Sequence, residues 1–267
     1  MKKIEAVIFD WAGTTVDYGC FAPLEVFVEA FKEAGMDITY EEARKPMGLL
    51  KIDHVKALLE MERINNLWIE KYKREWYQED INKIYARFEE ILFKNLSNFA
   101  TPVPGVLDLV KNLRESNIKI GSTTGYTKEM LDIVAENAKL QGYEPDFRIT
   151  STEVKGGRPH PYMIQENLKV LNITSLDQVI KIGDTISDIK EGRNAGVWTV
   201  GILKGGSELG LSQKQVENMD KIELENLMES TKAKMIEAGA HYVVNEVKDL
   251  TKVIEIINNE LNDGGKK

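Results

Sequence analysis

A single cysteine, Cys20, leaves this chain of 267 residues without a partner for an intrachain disulfide and without a cysteine-based zinc site. That scarcity suits a reducing compartment. Positive charge is also short: 43 acidic residues face 35 basic ones, a net charge of −8, which repels nucleic acid and anionic membranes and argues against a polyanionic partner. Long apolar runs are missing. No stretch approaches the length of a bilayer span, and Met1-Lys-Lys-Ile-Glu runs straight into a strand pattern with no apolar leader core, so a soluble, unexported, cytoplasmic protein is expected. Internal repeats are absent. The polar stretch 262–267 reads as a frayed tail.

What is present is an alternation of short β-rich apolar runs with helical patterns. Strands are expected at 118–122, 147–150, 179–182, 197–202 and 242–244, with helices at 105–115, 128–140, 162–171 and 188–195 between them. This order predicts an α/β fold: a Rossmann-like, doubly wound parallel sheet covered on both faces, which the run ending at Asp10 should join. Between Cys20 and about Ala100 the texture changes to amphipathic segments at 24–34, 49–60, 66–77 and 81–93, with hardly any strand signal. The reading is an α/β core built from 1–20 and 101–267 with an α-helical cap domain, 21–100, inserted after the first strand. Thr101-Pro-Val-Pro-Gly105 marks the return crossing, since two prolines and a glycine stop one helix and start the next.

Four motifs fall at strand ends or helix starts. Asp10-Trp-Ala12-Gly-Thr14 presents a carboxylate on a turn rich in backbone donors, as a nucleophile for a phosphoryl group would be presented. Thr124-Gly125 ends a strand with a hydroxyl and a flexible amide, groups that hold phosphate oxygens. Arg158-Pro-His-Pro161 supplies a cation. Asp184-Thr-Ile-Ser-Asp188 offers two carboxylates suited to a hard divalent ion. Taken singly, each has an ordinary structural reading as a helix cap, a turn or an exposed loop. Their common placement at the carboxyl ends of strands is what points to one site.

Ala12 is the informative departure. A phosphate-ester hydrolase of this design needs an acid there to protonate a leaving oxygen, and alanine has none, so the substrate need have no leaving oxygen. Cleaving carbon from phosphorus instead generates a carbanion, which needs an electron sink. In Arg44-Lys-Pro-Met47-Gly-Leu-Leu-Lys51-Ile-Asp-His54 the spacing predicts Met47, Lys51 and nearly His54 on one helical face. A lysine in partly apolar surroundings can lose its proton and condense with an aldehyde, and the resulting iminium would accept those electrons.

These segments, with Gly121-Ser-Thr-Thr-Gly-Tyr126, resemble the phosphonoacetaldehyde hydrolase (phosphonatase) family of the haloacid dehalogenase superfamily over nearly the whole chain. The resemblance implies hydrolysis of phosphonoacetaldehyde to acetaldehyde and inorganic phosphate through a lysine Schiff base and an aspartyl phosphate. It implies Asp10 as nucleophile, Lys51 as imine former, and Asp10, Asp184 and the Ala12 carbonyl on Mg2+, with Asp188 in the metal's outer shell. Arg158, Thr124 and Gly125 would hold phosphoryl oxygens. His54 would tune or relay protons for Lys51, Tyr126 and Cys20 would line the pocket, and Met47 would keep it dry. A homodimer is also implied, and the aromatic content of the cap, including Phe27, Phe31, Trp68, Trp76, Tyr85 and Phe88, suggests a pairing surface there. Two rivals stay open: a capped phosphatase or sugar-phosphate mutase, which ought to carry a carboxylate at position 12, and a non-enzymatic phospho-acceptor, which is usually far shorter.

Overall fold

The computed structural model describes residues 2–263. Six strands, β1 (Ala6–Phe9), β2 (Lys119–Thr124), β3 (Phe147–Thr150), β4 (Val179–Gly183), β5 (Trp198–Ile202) and β6 (Tyr242–Val244), form one sheet in the order β3-β2-β1-β4-β5-β6, parallel throughout. β1, β4 and β5 are buried along their whole length, which is why their sequences read as continuous apolar runs rather than alternating ones. Phe9 pairs with both Ser122 and Ile182, so the next residue, Asp10, leaves the sheet between the ends of β2 and β4. The strand order reverses at that point, where open α/β sheets form a crevice.

Between β1 and β2 the chain is helical: α1 (Phe21–Glu33), α2 (Tyr40–Arg44), α3 (Lys51–Leu59), α4 (Glu62–Tyr72) and α5 (Gln78–Asn95). The remaining helices are α6 (Val106–Glu115), α7 (Lys128–Leu140), α8 (Tyr162–Val170), α9 (Ile186–Ala195), α10 (Gln213–Asn218), α11 (Lys221–Glu237) and α12 (Leu250–Asn262). Among the described residues no helix is long and apolar enough to cross a membrane.

Several sequence expectations need correction. The helix carrying Lys51 begins at Lys51 itself, with Leu50 as its cap, because Gly48 sits at φ +86 and interrupts any helical course from Met47. Met47 therefore does not share a helical face with Lys51. Phe27, Phe31, Phe88 and Trp68 are buried inside the chain, with Phe27 stacked between His54 at 3.8 Å and Phe88 at 4.1 Å. These rings make the interior of the helical segment, not a surface for pairing two chains. The helix expected at 66–77 runs instead over α4, which ends at Lys73 in a left-handed conformation. The expected tail starts inside α12, and residues 264–267 lie outside the described residues.

The two crossings between strand and helical segment are zipped together. Val103 N–H donates to Thr15 O at 2.9 Å and Asp17 N–H to Thr101 O at 3.2 Å. Asp17 also caps α1, accepting from Phe21 N–H at 3.2 Å and Ala22 N–H at 3.0 Å, in place of the cap residue Cys20, whose side chain makes no such bond.

Burial pushes the Asp17 carboxyl up from 3.8 to about 7, against the pull of those two N–H groups. Between those values the unfolded chain ionises while the folded one resists, so wild-type stability falls as pH rises through that window. Asp17→Asn removes the titration. Thermal unfolding should show the variant gaining on wild type from about pH 4 to about pH 7, and an offset independent of pH would contradict the assignment.

Candidate active site

Asp10 follows β1, Thr124 ends β2 and Asp184 follows β4, so three neighbouring parallel strands deliver their termini to one crevice. The turn after Asp10 closes on itself. Gly13 N–H donates to Val16 O, and the N–H groups of Thr14, Thr15 and Val16 converge on Trp11 O, so these four amides serve the turn rather than an incoming anion. This narrows the sequence expectation of a turn rich in backbone donors beside Asp10. Thr14 Oγ1 and Ser207 N–H donate to the two oxygens of Asp184 at 2.8 and 2.7 Å. Asp188 Oδ2 closes a capping box with Thr185 at the start of α9, and its Oδ1 lies 2.8 Å from Lys181 Nζ and 3.0 Å from Arg158.

Arg158 is held from several sides. Its guanidinium donates to Asp10 Oδ1 at 2.6 Å, to Glu191 Oε2 at 3.0 Å and to Thr123 Oγ1 at 2.8 Å. Lys181, buried in β4, donates to the same Thr123 hydroxyl at 2.9 Å. Glu191 and Lys181 were missed in the sequence. A lysine in the middle of a wholly buried strand is the signal that could have found one of them.

The layer beneath Asp10 is short of positive charge. Four buried carboxylates, Asp10, Asp184, Asp188 and Glu191, face two buried cations, Arg158 and Lys181, a deficit of two when all are ionised. Burial raises the Asp10 carboxyl against the pull of Arg158, and burial plus repulsion from Asp10 and Asp188 holds Asp184 well above the usual carboxylate range. Burial works the same way on Asp188, but Arg158 and Lys181 outweigh it and hold that group below its usual value. Oxygens of Asp10, Asp184 and Asp188 lie within 4.8 Å of one another. This donor set and the deficit of two fit a hard divalent cation.

Above Asp10 lies a cavity of about 20 Å³, room for roughly one water, lined by Asp10, Ala12, Cys20, Gly48, Lys51, Thr124, Gly125, Tyr126, Arg158 and Thr185. Lys51 is only 4% exposed, with Nζ 5.4 Å from the centre of the Tyr126 ring and 5.9 Å from that of Phe27. Burial pushes its amine below the usual lysine range, although the carboxylates of Asp10 and Asp17 pull the other way. Burial likewise raises the Cys20 thiol and the Tyr126 hydroxyl, keeping both neutral.

His54 and Met47 are buried but do not line this cavity. His54 Nε2 lies 2.9 Å from Ala43 O, so that nitrogen carries the hydrogen, while Nδ1 is buried without a partner. Burial and nearby Lys51 push the ring's proton affinity far down. Gly48 and Thr185 were not singled out from sequence. Added Cβ atoms show why the glycines matter: at Gly125 one would stand 2.6 Å from Leu49 O, and at Gly48 one would stand 2.5 Å from Thr185 Oγ1. The helical segment seats on the sheet through these two contacts.

A family model for haloacid dehalogenase-like hydrolases matches residues 4–196, and a second, for HAD-hydrolase-like proteins, matches 156–250. The chain is 58% identical to the phosphonoacetaldehyde hydrolase of Bacillus cytotoxicus, covering 96% of this chain and 97% of that one. The chain belongs to the phosphonoacetaldehyde hydrolase family. It is therefore an enzyme of the hydrolase class, and the non-enzymatic phospho-acceptor reading falls. Another phosphonoacetaldehyde hydrolase family relative, from Clostridioides difficile, is named a bifunctional phosphonoacetaldehyde hydrolase/aminoethylphosphonate transaminase; it is 52% identical over 97% of this chain and 41% of its own length. Among solved structures, a phosphonoacetaldehyde hydrolase-like protein from Oleispira antarctica superposes with a TM-score of 0.96 at 36% identity, covering 99% of this chain and 96% of that one. A β-phosphoglucomutase from Clostridium difficile, at 19% identity, 97% and 99% coverage and TM-score 0.67, shares the fold alone.

Because burial keeps Asp10 and Asp184 protonated more readily than usual, a divalent cation must displace protons to bind. Its affinity should rise with pH. Calorimetry in two buffers of different ionisation enthalpy should show net proton release, and binding without release would contradict this account.

Proposed function

We propose that the chain hydrolyses phosphonoacetaldehyde to acetaldehyde and inorganic phosphate, with Lys51 as the imine-forming amine and Asp10 as the nucleophile. The names of its relatives support the substrate. The observation that carries the chemistry is a desolvated lysine amine sharing one small cavity with a carboxylate and with Ala12, which offers no acid. Ala12 and Lys51 explain one another: no leaving oxygen awaits a proton, but a carbanion awaits a sink.

Neutral Lys51 adds to the aldehyde carbon, and loss of water leaves a protonated imine. Asp10 attacks phosphorus in line, the carbon–phosphorus pair flows into the imine, and an enamine and an aspartyl phosphate result. Protonation and hydrolysis of the enamine free acetaldehyde and restore Lys51, while water attacks the acyl phosphate. Arg158 both aims Asp10 and offsets charge on the phosphoryl oxygens, with Thr124 and Gly125 beside it. Mg2+, held by Asp10, Asp184 and the Ala12 carbonyl, would neutralise the repulsion between carboxylate and phosphonate. Asp188, with its oxygens engaged by Lys181, Arg158 and Thr185, suits an outer-shell role. His54, which burial and Lys51 keep neutral, packs behind the amine on the Phe27 ring, while Tyr126, Cys20 and, at one remove, Met47 keep the amine dry.

In this reading residues 21–100 act as a cap over a core of 1–20 and 101–267. A cavity of about 20 Å³ cannot admit the substrate, so the cap must open, then close to exclude water from the imine and acyl phosphate. Cytoplasmic location and a homodimer complete the proposal. Exposed Tyr40 on α2, Ile69 and Tyr72 on α4 and the adjacent Tyr77, rather than the buried Phe27 group, are the large apolar residues among the described part of the cap that are open to a second copy.

Reduction with borohydride in the presence of substrate should inactivate the enzyme and leave its adduct on the Lys51 peptide. Lys51→Arg should lower kcat by about two orders of magnitude or more. An adduct elsewhere, or full activity in the variant, would sink the scheme. Hydrolysis of an aryl phosphate ester unaffected by Lys51→Ala would favour an ordinary capped phosphatase.

A further inference from the structure

We propose that Arg44 is a positioning residue that latches the helical segment shut and, through Ser207, ties that closure to the orientation of Asp184. The inference rests on the proposed opening and closing of the cap, but not on the imine chemistry.

Arg44 ends α2, four residues before Gly48, and does not itself line the cavity. Its Nη1 donates to two carbonyls on different parts of the molecule, Gly19 O at 2.9 Å in the first crossing and Ser207 O at 3.2 Å in the loop after β5. The guanidinium also lies 4.9 Å from the centre of the Phe21 ring at the start of α1. One side chain thus joins the helical segment, the crossing it swings on and a loop of the core. The link is charge-assisted and half-buried, so it is stronger than a neutral surface contact. By comparison, the hydrogen bond from Ser187 Oγ to Met47 O is 3.4 Å long.

The loop held by Arg44 also sets Asp184. Ser207 N–H donates to Asp184 Oδ2 at 2.7 Å, so the residue whose carbonyl receives Arg44 has its amide on the carboxylate. Gly206 approaches so closely that a Cβ there would stand 2.9 Å from Asp184 Cβ. Glu208 Oε1 accepts from Ile186 N–H at 3.3 Å and fastens the other side of the loop to α9. Opening the helical segment withdraws Arg44 and leaves Ser207 held from one side only. Asp184 is then aimed fully only when Lys51 is brought down over Asp10. Lysine replaces Arg44 only in part, because a point-like ammonium lacks the planar face that lies over the Phe21 ring.

The test uses the full chain without substrate, reading amide hydrogen exchange by mass spectrometry in peptides covering 17–20 and 205–210. Arg44→Ala should speed exchange in both by about tenfold or more, and Arg44→Lys by less. Arg63→Gln is the control: Arg63 pairs with Glu42 on the same short helix but reaches neither the crossing nor the loop, so it should leave both peptides unchanged. In turnover, Arg44→Ala should lower kcat/KM, and millimolar guanidinium should restore part of it in that variant alone. Unchanged exchange at 205–210 in Arg44→Ala, or equal acceleration in Arg63→Gln, would overturn the latch. Since the exchange needs no substrate, a failed lysine adduct would leave this result standing.

Discussion

Taking the Lys51 amine out of water is the constraint on which the rest of the site depends. An ammonium buried among Phe27, Tyr126 and Cys20 loses hydration that those groups cannot replace, so the neutral form gains ground. Only that form is a nucleophile. The carboxylates of Asp10 and Asp17 oppose the shift, so the amine can still take up a proton, and the proposed cycle needs both states. Burial requires the helical segment to sit directly on the strand ends, and the close contacts at Gly48 and Gly125 are what that proximity looks like in the backbone.

A second layer lies beneath Asp10. Arg158 is pinned by Asp10, Asp188, Glu191 and Thr123, and Lys181 shares three of those partners, Asp188, Glu191 and Thr123, so the guanidinium is fixed in place. Buried ion clusters of this kind contribute little net stability because their desolvation costs offset the attraction. Their value here is orientation, together with an excess of carboxylates over buried cations that fits a divalent ion. The two layers meet at Asp10, which the lower one aims and the upper one shields.

Much of this was legible in the sequence where the determinants are local. β3 and α7 match their sequence boundaries because turn residues and apolar spacing specify them without help from elsewhere. The strand-end motifs carrying Asp10, Thr124 and Asp184 were legible for the same reason. Features that depend on distant contacts were not. Glu191 reaches Arg158 across 33 positions, and the ring stack of Phe27 with His54 and Phe88 needs three helices to assemble, so its rings looked like spare surface. Met47 was placed on the Lys51 helix because helical spacing says nothing of the left-handed turn at Gly48. α11 buries only Met228, Thr231 and Met235, too sparse a stripe to show as a period, whereas the stripe of Leu250, Val253, Ile254 and Ile257 in α12 was there to be read.

The central claim is that Lys51 is an amine kept largely neutral by burial. Competitive labelling of lysines with a trace amine-reactive reagent across pH, followed by peptide mapping, measures its proton affinity directly. The account predicts a Lys51 titration below the ordinary lysine range, near 10.5 for an exposed side chain, with the exposed lysines of the same chain titrating normally. A Lys51 that titrates with them would contradict it.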